Sequence, residues 1–233
     1  MKFDMYNSLN EITQADQLLQ SLGLGNFSQI EPKKSWTKLL EESMSLITKL
    51  PQELFILKNV FDCYLTEITW LAAKNGNSNI ASAAYPEAPG KVFVSTDVFY
   101  YVPPFTTFQK FSKYAAFENM MHECLHHRAE QIMQTNSILN HFMSSSVQID
   151  IAWRNTNWSF SHSIQSYYVY FWILQLRQWA ISSNLLNPEE KEKLIISIPE
   201  VRNILDSLGF QLRQTCQFSQ GELADVLELT VPV

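Results

Sequence analysis

The stretch FENMMHECLHHRAEQIM, residues 117–133, sets three of the chain's five histidines within six positions. His122 and His126 bracket Glu123 in the pattern H-E-x-x-H, and His127 follows directly. Residues four apart on an α-helix lie one turn above each other, so His122 and His126 share a face. Two imidazoles placed this way can share one metal ion, with Glu123 about 100° round the helix, near a metal-bound water. His127 is also rotated about 100° from His126 and should point elsewhere. The same residues could merely decorate a solvated helix face. Their apolar, mid-helix setting after a predicted strand favours a metal helix.

Outward from this helix, the pattern reads as mainly α with a small β-sheet (α+β), the metal helix packed on an aromatic core helix. In the second helix, residues 163–181, no charge occurs until Arg177, and its length favours a buried helix over a strand. The metal helix itself should begin near Thr106 and run to about residue 134, with a polar loop after it. KVFVST (91–96) reads as a strand, and VQIDIAW (147–153) as a short extended piece. Toward the N-terminus, Thr13 with Asp16 imitates a capping box for a helix over 13–22, stopped by Gly23. A helix from Ser35 carries Trp36, Leu39, Leu40, Met44 and Ile47 at helical spacing and ends before Pro51. ELFILKNVFDCYLTEITWLAA (53–73) reads as a further helix, and 75–90 as a loop rich in turn formers. Asn187-Pro188 with Glu190, and Ser219 with Glu222, mark the starts of C-terminal helices. We expect one metal-dependent enzyme domain over 1–233: a helical part at 1–74, a metal-site core at 90–181 and C-terminal helices at 187–233.

Composition narrows the function. With 46% hydrophobic residues, 15 Phe, 9 Tyr and 6 Trp, the chain is a folded protein with an aromatic interior. A net charge of −6 argues against nucleic acid as the main partner, and six glycines leave no room for a phosphate-cradling loop. Cys63, Cys124 and Cys216 are odd in number and lack a C-x-x-C pair, as expected of free thiols in a reducing compartment. The polar N-terminal residues do not resemble a signal peptide, and YYVYFWILQL (167–176) is shorter than the roughly 20 residues of a membrane span. The expectation is a cytoplasmic protein without a membrane partner.

Two histidines do not complete a catalytic metal site, which generally takes three protein ligands and keeps positions open. The candidates are Glu130, His141, Asp150 and His162. Glu130 lies one turn beyond His126 and reads as a surface carboxylate, and His141 reads as exposed in a polar loop. Asp150 alternates with Ile149 and Ile151, which suits a carboxylate at a strand edge. His162 opens the aromatic segment; a histidine there is often structural, but a metal pair in want of a partner favours it.

ENMMHECLHH together with IAWRNTNWSFSHSIQSYYVYFWILQLRQW resembles the HExxH-type peptide-modification proteins of ribosomal peptide natural-product pathways. In that family a Trp-Arg pair and then a histidine opening a helix follow the H-E-x-x-H helix. Trp153-Arg154, His162, Tyr167, Tyr168 and Phe171 stand in the same order here. The resemblance, over roughly residues 90–180, implies an iron(II)- and 2-oxoglutarate-dependent oxygenase that hydroxylates the β-carbon of a peptide residue, with His122, His126 and His162 as iron ligands. It also implies a peptide substrate, a leader-bearing precursor among the candidates. An octahedral iron(II) with three protein ligands keeps two sites for a 2-keto acid and one for dioxygen. The far carboxylate of 2-oxoglutarate needs a cation, and Arg154 is the best placed. Arg177, fifteen residues past His162 and about 22 Å along a helix, is too far, and Arg128 is rotated away.

The competing reading is a zinc metallopeptidase, with Glu123 as general base on zinc-bound water and Asp150 or a glutamate as third ligand. A non-catalytic domain with a structural metal ranks last, because such sites are closed and cysteine-rich. Tyr100, Tyr101, Trp158 and Phe160 are candidates to line a peptide groove, and the KVFVST strand to dock a peptide by edge pairing.

Overall fold

The computed structural model describes residues 17–76, 80–143, 146–151 and 155–229. The fold is mainly helical with a small mixed sheet, as the periodicity predicts. Its centre is the H-E-x-x-H helix, α3 (Lys113–Thr135), which is buried without a break from Tyr114 to Leu125. A helix enclosed on all sides must be packed on all sides. Two shorter helices, α1 (Lys34–Met44) and α2 (Phe55–Tyr64), cover one flank of α3. The aromatic helix α5 (Phe160–Ser182) covers another, and the long α6 (Pro188–Cys216) packs behind α5. The remaining helices are short: α4 (Ser137–Met143) follows α3, and α7 (Gln220–Val226) ends the fold.

The sheet has the order β1-β2-β4-β3, from β1 (Phe27–Gln29), β2 (Glu67–Ala73), β3 (Ser82–Ala84) and β4 (Lys91–Val94). β2 and β4 are parallel, and the two outer strands run antiparallel to their neighbours. Both faces are covered. Trp70, Val92 and Val94 face the main core with α3, whereas Leu71 and Phe93 join Leu19, Leu22, Leu24 and Phe27 in a second cluster. Strands covered on both faces read as continuous apolar runs.

That two-sided burial explains where the predicted elements shift. The apolar run 53–73 is no single helix: α2 stops at Tyr64, and the β-branched, aromatic remainder forms β2. The predicted loop 75–90 contains β3, whose small residues carry no strand signal. KVFVST forms β4, but β4 lies inside the sheet between β2 and β3, so it has no free edge to offer a peptide. The H-E-x-x-H helix starts at Lys113 rather than Thr106, with Ser112 as N-cap accepting the Ala115 N–H at 2.9 Å. Thr106 and Thr107 instead form β6, paired with β5 (Tyr101–Val102). The polar loop expected after residue 134 is partly helix α4.

VQIDIAW yields β7 (Gln148–Ile151), paired with β8 (Thr156–Ser159). Both C-terminal capping boxes form, at Asn187 with Glu190 and at Ser219 with Glu222. Of the helix expected at 13–22, the described part, 17–21, is helical; Thr13 and Asp16 lie outside the described residues. Cys63, Cys124 and Cys216 are free thiols. Among the described residues no helix is long and apolar enough to cross a membrane.

Candidate metal centre

His122 and His126 project from one face of α3 with their Nε2 atoms 3.2 Å apart. At metal–nitrogen bonds of roughly 2.0–2.2 Å, two ligands of one ion stand about 3.0–3.5 Å apart, so the pair is spaced for a shared cation. His122 is 8% exposed, and its Nδ1 is buried without a hydrogen-bond partner. His126 is half-buried and donates a side-chain hydrogen bond to Gln165 of α5. Burial holds both imidazoles neutral, the form that binds metal. Burial first, and then His126 and Arg177, keep His122 well below the ordinary histidine range. Burial, and then His162, bring His126 down to about 4.

Two cavities meet at this pair. One, of about 430 Å³, is a cleft between β3 with the following Tyr85 and Pro86 and the side chains of His122, Glu123, His126, His162 and Gln165. The other, of about 410 Å³, is bounded by Tyr101, Pro103, Trp158, Val169 and Tyr170. His122, His126 and His162 line both. His162 stands in the first turn of α5, where Ser159 accepts its backbone N–H at 3.2 Å, and its ring lies on Trp158 with centroids 4.2 Å apart. Among the described residues, no three His, Cys, Asp or Glu side chains close around a single point. The two imidazoles on α3 thus stand together without a third such side chain at the same point.

Glu123 is buried on the cleft wall. Ser82 Oγ lies 2.7 Å from its Oε1, and the Ala84 backbone N–H donates to the carboxyl. The same Ser82 hydroxyl lies 3.1 Å from Asn119 Oδ1. The orientation of Asn119 is fixed, because its Nδ2 faces the carbonyls of Tyr101 at 2.6 Å, Ala115 at 2.9 Å and Val98 at 3.3 Å. One hydroxyl proton thus faces two acceptors, and a protonated Glu123 satisfies all of them: its O–H donates to Ser82, and Ser82 donates to Asn119. The electrostatics agree. Burial raises the Glu123 carboxyl to about 7, against the lowering by Ser82 and Ala84.

The other candidates fall into place around this centre. Glu130 lines the cleft, nearer the site than a surface carboxylate, but it accepts hydrogen bonds from Gln165 at 2.6 Å and Gln134 at 2.9 Å. Asp150 is exposed on β7 opposite Asn157 and lines neither cavity. His141 is exposed, on α4 rather than in a loop. Trp153 and Arg154 lie outside the described residues. Of the proposed groove aromatics, Tyr101 and Trp158 line the second cavity. Phe160 is 1% exposed and belongs to the core, and Tyr100 packs on Phe111 with centroids 4.8 Å apart. Cys124 is buried, and burial pushes its thiol well up, so it is an inert core residue.

Sequence reasoning missed Ser82, Ala84, Asn119 and Gln165. Asn119 had a signal, a polar residue inside an otherwise apolar helical run, which has to find partners. Ser82 and Ala84 had none. Compared with models of known protein families and with curated protein sequences, the chain matches none.

Proposed function

We propose that this chain is an iron(II)- and 2-oxoglutarate-dependent oxygenase that hydroxylates a side-chain carbon, at the β-position, of a peptide, with His122, His126 and His162 holding the metal. The observation that carries the reading is the placement of three imidazoles, from two helices, at the boundary of two cavities. His162 completes the set by turning from Trp158 toward the preformed pair. Bound iron(II) would supply activation of dioxygen, the oxidant, with the keto acid giving up two electrons and carbon dioxide as an unactivated carbon is hydroxylated. The chain's own part is to keep His122 and His126 neutral through burial and to wall the site with Trp158, Val169 and Tyr170. Glu123, held by Ser82 and Ala84, braces β3 against α3. Among the described residues neither cavity has a Lys or Arg in its lining, so the far carboxylate of 2-oxoglutarate is left to Arg154. The resemblance of Trp153-Arg154 and His162 to the peptide-modification proteins supports the same reading, and we propose with it a cytoplasmic setting and a precursor peptide as substrate.

A zinc metallopeptidase is the second reading, and one observation favours it: a carboxyl raised to about 7 stands on the cleft wall beside the histidines, in the range that suits a general base. An anaerobic titration separates the two. Iron(II) and then 2-oxoglutarate are added to metal-free protein, and the visible spectrum is recorded. A weak charge-transfer band that needs both additions, and that His162→Ala abolishes, is the oxygenase outcome. No band, with zinc held tightly and peptide cleaved, is the peptidase outcome.

A further inference from the structure

We infer that the outer edge of β3 binds the substrate, as an extended peptide that adds a strand to the sheet and delivers the side chain opposite Ser82 to the histidines. This deepens the metal-enzyme reading above and rests on it. Among the described residues β3 ends the sheet, with β4 on its inner side and the cleft lined by its residues. The strand's hydrogen-bonding alternation fixes which backbone groups face outward. Ala81 O accepts the Ser95 N–H at 3.0 Å, so Ala81 faces β4, and with it Ala83, the partner of Phe93. Ser82 and Ala84 therefore face the cleft. The Ala84 N–H confirms this phase, since it reaches outward to Glu123. That leaves the Ser82 N–H and C=O and the Ala84 C=O as an outward row beside the metal pair.

The side chains of the strand suit a docking edge. Ser82, Ala83 and Ala84 are all small and half-buried, so the strand's own side chains put no bulk beside its backbone, and Glu123 takes only the Ala84 N–H. Exposed edges are ordinarily blunted by charge, proline or a covering element, and β3 carries no charge or proline of its own. Direction follows from the pleat. Residues opposite each other on paired strands put their side chains on the same face. The Ser82 side chain points at Asn119 and Glu123 on α3, so the substrate residue opposite it points at α3 too, into the cleft where His122 and His126 stand. Its two neighbours point away. An extended peptide read in this way is recognised through its backbone, with selectivity confined to alternate side chains.

The test uses the full chain loaded with cobalt(II), whose visible spectrum reports chelation. Three probes are titrated: acetohydroxamate, a tetrapeptide that carries the hydroxamate on a side chain (acetyl-Ala-Asp(β-hydroxamate)-Ala-Ala amide), and that peptide N-methylated at one amide at a time. Edge docking predicts that the tetrapeptide binds about tenfold tighter than acetohydroxamate or better, and that methylation removes the gain at alternate amides only. Equal affinity for acetohydroxamate and the peptide, or a methylation penalty without alternation, overturns the docking while the metal site stands. Failure of acetohydroxamate to change the cobalt spectrum overturns the metal reading, and the docking with it.

Discussion

Arg177 of α5 and Glu118 of α3 meet with neither side chain reaching solvent. Arg177 Nε lies 3.1 and 3.0 Å from the two carboxylate oxygens, Nη1 donates to Ser197 Oγ of α6 at 3.0 Å, and Nη2 donates to the Pro103 carbonyl. One guanidinium thus ties both site helices to α6 and to a wall of the second cavity. Removing one partner of a buried pair strands the other charge, at about 3–5 kcal/mol. Arg177→Met should therefore lower unfolding free energy by that amount in urea denaturation. The double variant Glu118→Gln/Arg177→Met should recover much of the loss, because no charge is left buried. Equal losses in both would mean that packing, not charge, holds the helices together.

This pair also marks what the sequence made legible. A helix uncharged from residue 163 to Arg177 announces burial, and a charge that ends such a run needs a partner. The partner is Glu118, one of two acidic residues in the buried stretch of α3, but nothing local says that the two meet. The H-E-x-x-H spacing placed His122 and His126 correctly because an α-helix leaves no freedom between positions four apart. Asp150 was placed on the right alternation, yet the face it shares is solvent, which depends on how the β7–β8 hairpin packs. The edge at Ser82–Ala84 was hidden for another reason: three small residues between turn formers have no periodicity, and only pairing with β4 makes them a strand.

Gly90 enters β4 with φ +78°, and a Cβ there would stand 2.5 Å from Thr66 Oγ1. Left-handed backbone costs a residue with a Cβ about 1–2 kcal/mol, before any clash. Gly90→Ala should destabilise the protein by about 2 kcal/mol or more in thermal or urea unfolding. Adding Thr66→Ala should relieve the contact but not the backbone strain, so recovery should be partial. Full recovery would show that strain at Gly90 contributes nothing.

Metal-free protein should lose stability in mild acid. A histidine that resists protonation when folded contributes stability that is intact above its unfolded value of about 6.5 and is lost as pH falls toward the folded one. For His126 the folded value is about 4, and His122 is shifted in the same direction. Glu123 acts with the opposite sign: raised to about 7, it stabilises most below the unfolded value of 4.5 and loses that contribution as pH rises. Between pH 6.5 and 4.5 His122 and His126, joined by His127, whose burial lowers it in the same direction, oppose one carboxyl. The net slope is then at least about 1.4 kcal/mol per pH unit, with the protein weaker at the acid end. Urea titrations at half-unit steps should give this slope, and His126→Asn should reduce it by about 1.4 kcal/mol per pH unit. A flat profile in the unaltered chain would contradict the burial assigned to the pair.

Glu123→Gln separates two states of the carboxyl. If Glu123 is protonated as the hydrogen bonds around Ser82 require, glutamine reproduces it: the amide N–H donates to Ser82 Oγ, and the amide oxygen keeps the Ala84 N–H. Stability near pH 6 should then stay within about 0.5 kcal/mol of the parent, whereas Glu123→Ala, which leaves Ser82 and Ala84 without their partner, should cost about 1–3 kcal/mol. An ionised carboxylate predicts no such gap, since an amide N–H placed toward Ala84 or a lost charge-assisted bond would make glutamine as costly as alanine. The same variant bears on the chemistry. A base on a metal-bound water cannot be replaced by an amide, so a peptidase should lose cleavage altogether. An oxygenase whose Glu123 only braces β3 should keep the iron and keto-acid absorption band and its hydroxylation.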